Sequence, residues 1–577
     1  MRQMFLWARS KNVAFVLMTL RESQPAAVAA LRLYRVKAKS LPVAKVDEPT
    51  QKEGWGRTIG WYYEDPAIDF EFGVKDYAAT PELCMEMVDK IAATMRYQGL
   101  NMFAYPGAWY NGMINASYNP RNHATDFFNA FYERFDREGF GVVPLINQES
   151  HPVPVGSLTY DMIDSGKVHE TMYSVTDTGK PDCGIVRKPS LFNICHPDTQ
   201  RYLEGMIDLF VVDGLKHPSF KGIGLHVKHS SICWLGMISN GYNDYMIDGF
   251  TRDTGIKVPV DRRNPMRGKA YAQWLLKNAY EPWVKWRCRQ VSGFWVKIAR
   301  KLAAARPDLK LWINNIANLD PLMDRFTSPD YMSRMALEGG LDREIFAREA
   351  PNVIMGQTCL PADYRFTHPG WYYATKSDYE CQRDYHTKPY YWDFLESATY
   401  PLVHIHDRYW ESHAGDRNRN RNPSNHFKAT WFKEVKWRVS TLNPPGPYAM
   451  EHFAVPMRFR DVLGFTKGGF LVGTYGMEEY LVPFAQAFRA LPAVSMETLP
   501  GGGDFLRLRY VRHDGKSYFY IVNTGSENVE VSIRFPNGTK DLVSGERLDG
   551  TVAFNLGPYA LRSFVSQSGR PELVKYR

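Results

Sequence analysis

"TPELCMEMVDKIAATMRYQGLNMFAYPGAWY", residues 80–110, decides the fold. Thr80 can accept a hydrogen bond from a free N–H at the start of a helix. Pro81 suits the first helical position, where its missing N–H is not needed. Leu83, Met87, Ile91 and Met95 then recur at four-residue steps and make one apolar face. Gly99 stops the helix. "LNMFAYPGAWY" follows at once as an apolar strand with an aromatic, polar end. A buried helix feeding directly into a buried strand is half of a parallel βαβ unit.

The same unit recurs in both directions. "RTIGWYYEDP" (57–66) is the strand before it. Helices are expected near 125–138, 198–214, 269–305, 341–349, 391–398 and 426–440. The strands they feed are "FGVVPLINQESH" (140–151), "FKGIGLHVKHSS" (220–231), "LKLWINNI" (309–316), "NVIMGQT" (352–358), "YPLVHIHDRYWES" (400–412) and "PYAMEHFAV" (447–455). In the longest helix Val284, Cys288, Val291, Trp295, Ile298 and Leu302 form a buried seam. Continuous apolar strands separated by helices mean a parallel sheet covered by helices. Eight such units predict an α/β fold, a (β/α)8 TIM barrel over residues 51–495. A doubly wound open sheet is the competing architecture, but no glycine-rich dinucleotide turn follows the first strand.

After residue 503 the period switches to two. "SYFYIVNTG", "VEVSIRF", "TVAFNLG" and "LRSFVS" are short alternating strands joined by turn sequences, which predicts a small antiparallel β-sandwich over 503–577. Residues 1–50 loosely mimic a signal peptide, but "RES" interrupts the apolar run. "VAFVLMTL" and "LRLYRV" read better as strands of a partial N-terminal β-sandwich followed by a linker.

Composition excludes several classes. The net charge of +9, from 71 basic and 62 acidic residues, is mild over 577 residues. The one dense basic run, "GDRNRNRNPSN" (415–425), lacks the interleaved aromatic rings that nucleic-acid binding needs, and reads as a solvated loop. The seven cysteines show neither a CxxC pair nor zinc spacing, so no disulfide framework and no metal knuckle is expected. No cofactor is indicated, and no apolar run is long enough to span a membrane. Aromatic residues reach 14%, which fits large cores and also fits sugar faces stacked on rings.

Barrel enzymes hold their chemistry at the C-terminal ends of the strands. Those ends carry Trp61 and Glu64, then Trp109 and Tyr110, then Asn147 and Glu149. His226 and His229 follow on the fourth strand, Asn314 and Asn315 on the fifth and Gln357 on the sixth. His404, His406, Asp407, Trp410 and Glu411 crowd the seventh, and Glu451 lies on the eighth. A carboxylate buried there without a partner would cost several kcal/mol. Such groups therefore face water and substrate or form paired networks. Carboxylates, amides and aromatic rings together are the kit for glycoside hydrolysis, in which one carboxylic acid protonates the leaving oxygen and another acts as nucleophile or base. Glu411, Glu149, Glu451 and Asp407 are the catalytic candidates. Salt bridges, helix caps and turn anchors are their structural alternatives. The remaining polar and aromatic residues named above are candidates for binding sugar hydroxyls and faces.

The segments "GYNDYMIDGFTRDTGIKVP" (241–259) and "WLLKNAYEPWVKWRCRQVSGFWVKIA" (274–299) resemble the region after the fourth strand in barrel glycoside hydrolases. The clan in question includes the family 42 β-galactosidases and family 10-like glycosidases. The order barrel, then "FAQAFRALPAV" (484–494), then a small β-sandwich is also similar, so the resemblance runs over about 55–577. It implies a glycosidase acting on a polysaccharide or oligosaccharide, a substrate class that points to a secreted or periplasmic protein; with no tight ligand pair such as HExxH, no metal is expected. It also implies an Asn-Glu acid/base at the end of the fourth strand, and here that strand reads "GIGLHVKHSS" with no carboxylate. Two alternatives therefore stay open: a non-catalytic carbohydrate-binding protein on a degenerate barrel, and a metal-dependent lyase or isomerase acting on sugars. Oligomeric state is not legible.

Overall fold

The computed structural model describes residues 41–49, 55–64, 68, 72–74, 80–110, 112–113, 127–148, 152–153, 156–157, 172–181, 192–228, 231–315, 331–359, 389–396, 398–407, 409–413, 435–440, 443, 446–469 and 473–577. Eight parallel strands close into a barrel: β1 (Thr58–Tyr63), β2 (Met102–Tyr110), β3 (Gly141–Gln148), β4 (Gly222–Val227), β5 (Lys310–Asn315), β6 (Val353–Cys359), β7 (Pro401–Asp407) and β8 (Gly464–Gly469). β1 pairs with β2 on one side and with β8 on the other, which completes the ring.

Helix α1 (Pro81–Gln98) starts as its sequence dictates. The Thr80 hydroxyl accepts from Leu83 N, and Gly99 ends the helix in the left-handed conformation at φ 73°. Further crossover helices are α2 (Phe127–Glu138), α3 (Pro197–Gly214), α4 (Asp244–Thr254), α5 (Arg267–Asn278), α6 (Tyr280–Ala305), α7 (Tyr331–Glu338) and α8 (Arg343–Glu349). Asp244 begins α4 behind an Asn243 cap. The single helix expected over 269–305 is two helices, broken at Ala279, whose backbone leaves the helical region at φ −146°. The helix expected near 391–398 is instead a 3-10 segment, Pro389–Leu395.

Two expectations near the end of the barrel are corrected. "PYAMEHFAV" is not the eighth strand. It forms a 3-10 turn, Gly446–Met450, running into helix α9 (Glu451–Phe459). Met450, Phe453, Ala454 and Met457 are buried at helical spacing, so the run has a helix period that its apolar density hides. The eighth strand is "GFTKGG", which is glycine-rich and held by pairing with β1 and β7 rather than by its own propensity. The helix expected near 426–440 gives way at Val435–Ser440 to a strand paired antiparallel with Tyr409–His413. Residues 426–434 lie outside the described residues.

Strand alternation sorts the barrel wall into two cores. Ile59, Trp61, Phe103, Ile146, Leu225, Ile313, Met355 and Val403 face the helices. Tyr62, Ala104, Val143, Leu145, Trp312, Ile354 and Leu402 fill the lumen with Trp55 and Tyr400 at its base. The barrel interior is thus a packed core, and among the described residues its imidazoles and its one lumen-facing carboxylate gather at the C-terminal mouth.

Helix α10 (Glu478–Arg489) leads to the C-terminal β-sandwich. Its strands form one continuous antiparallel sheet of seven, folded over a core that includes Leu508, Phe519, Ile533, Phe535 and Phe564. The N-terminal β-segment expected over 1–50 falls, up to residue 40, outside the described residues. Residues 41–49 carry no regular element and run along α1, where Ala44 N donates to Arg96 O. Among the described residues no helix is long and apolar enough to cross a membrane.

Candidate active site

β1 delivers two lumen-facing side chains in succession, Tyr62 and, one residue past the strand, Glu64. Alternation puts both on the face opposite Trp61. Glu64 N donates to Gly469 O at 2.8 Å, so β8 fixes where the carboxylate stands. Asn147 of β3 donates its amide to Glu64 O at 2.8 Å from the other side. The carboxylate then meets two imidazoles. His226 Nε2 of β4 lies 3.1 Å from Oε2, and His406 Nε2 of β7 lies 3.4 Å from Oε1. Both contacts are close but bent, so neither is a fully formed hydrogen bond in this resting geometry.

Tyr62 braces the cluster. Its hydroxyl lies 2.5 Å from His226 Nδ1. Its ring sits 4.2 Å from that of His404 and meets Trp312 edge-on at 5.4 Å. His404 Nδ1 is 3.2 Å from the Thr466 hydroxyl of β8. The Asn314 amide of β5 lies beside the Tyr62 hydroxyl, yet neither of its ends closes a hydrogen bond of good geometry.

Burial and charge act against each other here. Burial pushes the Tyr62 phenol well above its ordinary value, so it stays protonated. Burial lowers His226 to about 4, against the pull of Glu64. It also holds His404 well below the usual imidazole range, helped by His406. Burial alone would raise Glu64, but the His406 and His226 imidazoles set against its two oxygens outweigh it. The carboxyl is held well below the usual range and is ionised. The mouth is therefore a buried anion ringed by imidazoles and amides. Asn147 Oδ1, both ends of the Asn314 amide, His404 Nε2 and His406 Nδ1 have no partner among the described residues. Buried polar atoms are seldom left so, and a cluster of them at a barrel mouth is a cluster waiting for a ligand.

The structure brings together Glu64, Asn147, His226, Asn314, His404 and His406 among the residues singled out in the sequence. It puts three elsewhere. Trp61 faces the helices, is fully buried against Phe72 and donates to Thr474 Oγ1 at 2.9 Å, so it offers no face to a sugar. Glu451 is in the first turn of α9, where Tyr559 of the sandwich donates to it at 3.4 Å, because the strand that would have carried it to the mouth is a helix. Gln357 alternates with Met355 and Cys359 on the helix-facing side of β6 and donates to Thr358 O at 3.3 Å. The backbone of Trp109, Tyr110, Asn315, Asp407, Trp410 and Glu411 closes β2, β5 and β7 or lies on Tyr409–His413. Glu149 and His229 lie outside the described residues. Thr466 was missed because β8 was missed. Tyr62 carries a signal in the sequence, since its two-residue spacing from Glu64 on a strand places both on one face. Among the described residues no group of three or more His, Cys, Asp or Glu is arranged to hold a metal ion.

The chain matches no protein-family profile and no curated protein sequence. Solved structures similar to it are barrel glycoside hydrolases. An Anoxybacillus α-amylase is 10% identical, with 88% of this chain and 97% of that one covered at a TM-score of 0.42. A family 42 β-galactosidase from G. stearothermophilus is 9% identical, with 88% and 98% covered at 0.39. A family 30 endoxylanase from Clostridium papyrosolvens is 10% identical, with 91% and 98% covered at 0.34. At this distance the likeness says nothing about chemistry.

Proposed function

We propose that this protein is a glycosidase that binds a polysaccharide or oligosaccharide at the C-terminal mouth of its barrel and hydrolyses a glycosidic bond there. The observation that carries this reading is Glu64, a buried carboxylate kept ionised between His226 and His406 in the lumen. Glycoside cleavage passes through an oxocarbenium-like state, and a fixed anion in a water-poor site stabilises that positive charge. The unpartnered amides of Asn147 and Asn314 suit sugar hydroxyls, which both donate and accept. Trp109, Tyr110 and Trp410 are proposed stacking rings, and His229 and Asn315 are proposed to bind sugar hydroxyls. Glu149, Asp407 and Glu411 are the proposed sources of the acid that protonates the leaving oxygen. A polymeric substrate fits a secreted or periplasmic enzyme.

One observation favours a second reading. Among the described side chains Glu64 is the only carboxylate that faces the lumen, and both of its oxygens face imidazoles. A carbohydrate-binding protein would need no more than that. The test is incubation of wild type and Glu64→Gln with plant, algal and microbial glycans, and chromatography of released sugars. The glycosidase reading expects release by wild type and a fall of about 100-fold or more in the variant. Glycan binding by calorimetry with no release in any case would favour the binding protein. Release that stops on chelation would favour metal-dependent chemistry.

A further inference from the structure

His406 turns one ring nitrogen to Glu64 and leaves the other bare. Nε2 is 3.4 Å from Glu64 Oε1, and Nδ1 is buried with no partner among the described residues. An ionised carboxylate beside one ring nitrogen draws the proton there, because an N–H facing an anion is favourable and a lone pair facing it is not. With the proton on Nε2, the Nδ1 lone pair is free to accept. The other side of Glu64 is set in the same sense. The Tyr62 hydroxyl, 2.5 Å from His226 Nδ1, can donate to it, which leaves the His226 proton on Nε2, 3.1 Å from Glu64 Oε2. Each oxygen of Glu64 thus faces an N–H. Such a carboxylate is a poor nucleophile and a good orienting anion.

We propose that His406 Nδ1 is the proton acceptor of the reaction, with Glu64 as the positioning residue that fixes its tautomer and stabilises the imidazolium that forms. Its substrate rests on the glycosidase reading. In the step, a water O–H bond breaks and its proton passes to Nδ1, while the water oxygen bonds the anomeric carbon. The bond from that carbon to the leaving oxygen breaks with its electron pair on oxygen, which takes a proton from a carboxylic acid of the mouth. The imidazolium then returns its proton, through water, to that carboxylate. A single displacement of this kind inverts the anomeric centre. The carboxylate–imidazole pair divides the labour as in other acid/base sites, where the acid holds the ring and the ring moves the proton. Besides Glu64, the titratable groups that act on this cluster are His226 of β4, which Lys228 faces in turn, and His404 on the same strand as His406.

Two measurements test it. Nitrogen-15 NMR of histidine-labelled protein, with the His406 signals assigned by their loss in His406→Gln, reads the tautomer directly. The expected result is a proton on Nε2 in wild type and a tautomer mixture in Glu64→Gln. A proton on Nδ1, or a tautomer indifferent to Glu64→Gln, overturns the dyad. On a glycan that wild type cleaves, His406→Ala should lose about 100- to 10,000-fold in kcat/KM, lose the basic-group limb of the pH profile and recover partly with added imidazole. Products should show the inverted anomer by proton NMR. A cleaving His406→Ala variant with normal rate overturns the inference and leaves the glycosidase reading standing. If wild type cleaves nothing, that reading falls, and the tautomer measurement still decides the dyad.

Discussion

At the scale of single residues, the mouth is tuned by burial. His226 is fully buried and its imidazole is lowered to about 4, from an ordinary 6.5. Between those two values the unfolded chain binds a proton at this ring and the folded chain does not. Stability therefore falls as pH drops through that window, and the loss is complete near pH 4. Glu64, held low, adds the same sign further down, since its folded form also resists a proton that the unfolded form takes. The size of the His226 effect is up to about 3 kcal/mol. Urea unfolding at pH 7 and at pH 5 should thus show wild type losing more stability on acidification than His226→Gln, which has no ring to titrate. Equal losses in the two proteins would mean that His226 is not held neutral by the fold.

At the scale of elements, β1 is pinned by close approach. Gly60 faces the lumen, and a Cβ there would stand 1.9 Å from Met102 O on β2. No rotamer relieves a clash with backbone, so Gly60→Ala should cost about 3 kcal/mol by urea unfolding. A loss below about 0.5 kcal/mol would show that the β1–β2 spacing gives way. The same reliance on pairing explains what the sequence could and could not disclose. α1, with its Thr80 cap, regular apolar face and Gly99 stop, announces itself locally. β8 does not, because Gly464, Gly468 and Gly469 carry no strand signal and only ring closure makes them a strand. With β8 hidden, the apolar run at 447–455 takes its place in a sequence reading, and Glu451 goes with it to the wrong location. The site shows the same division. His404 and His406 are legible as alternate residues of a strand end. The contact of Glu64 with His226 and His406 is not, because it joins three strands far apart in the chain.

At the scale of the whole molecule, the sandwich is bolted to the foot of the strand that carries Glu64. Arg57, at the start of β1, is fully buried and pairs with Asp461 at 3.2 Å while also donating to Pro492 O and Val462 O. Asp461 accepts in addition from Tyr520 of the sandwich at 2.7 Å and from Met496 N at 2.7 Å. Arg509 of the sandwich donates to Tyr520 and to Met457 O of α9. One carboxylate thus gathers the barrel, the connecting segment and the sandwich. Removing one partner from a buried pair leaves the other charge stranded, and that costs about 3–5 kcal/mol. Asp461→Asn should therefore weaken the joint as well as the protein. Two probes can see this separately, because residues 503–577 contain no tryptophan. Tryptophan fluorescence then follows the barrel, and far-ultraviolet circular dichroism follows both parts. In wild type the two urea transitions should coincide. In Asp461→Asn both should move to lower urea and come apart, with Tyr520→Phe, which removes the two hydrogen bonds of that hydroxyl but strands no charge pair, losing about 2 kcal/mol and keeping the transitions together. Coincident transitions in Asp461→Asn would mean that the joint is held by apolar packing of α9 and α10 on the sandwich, with the charge cluster contributing little.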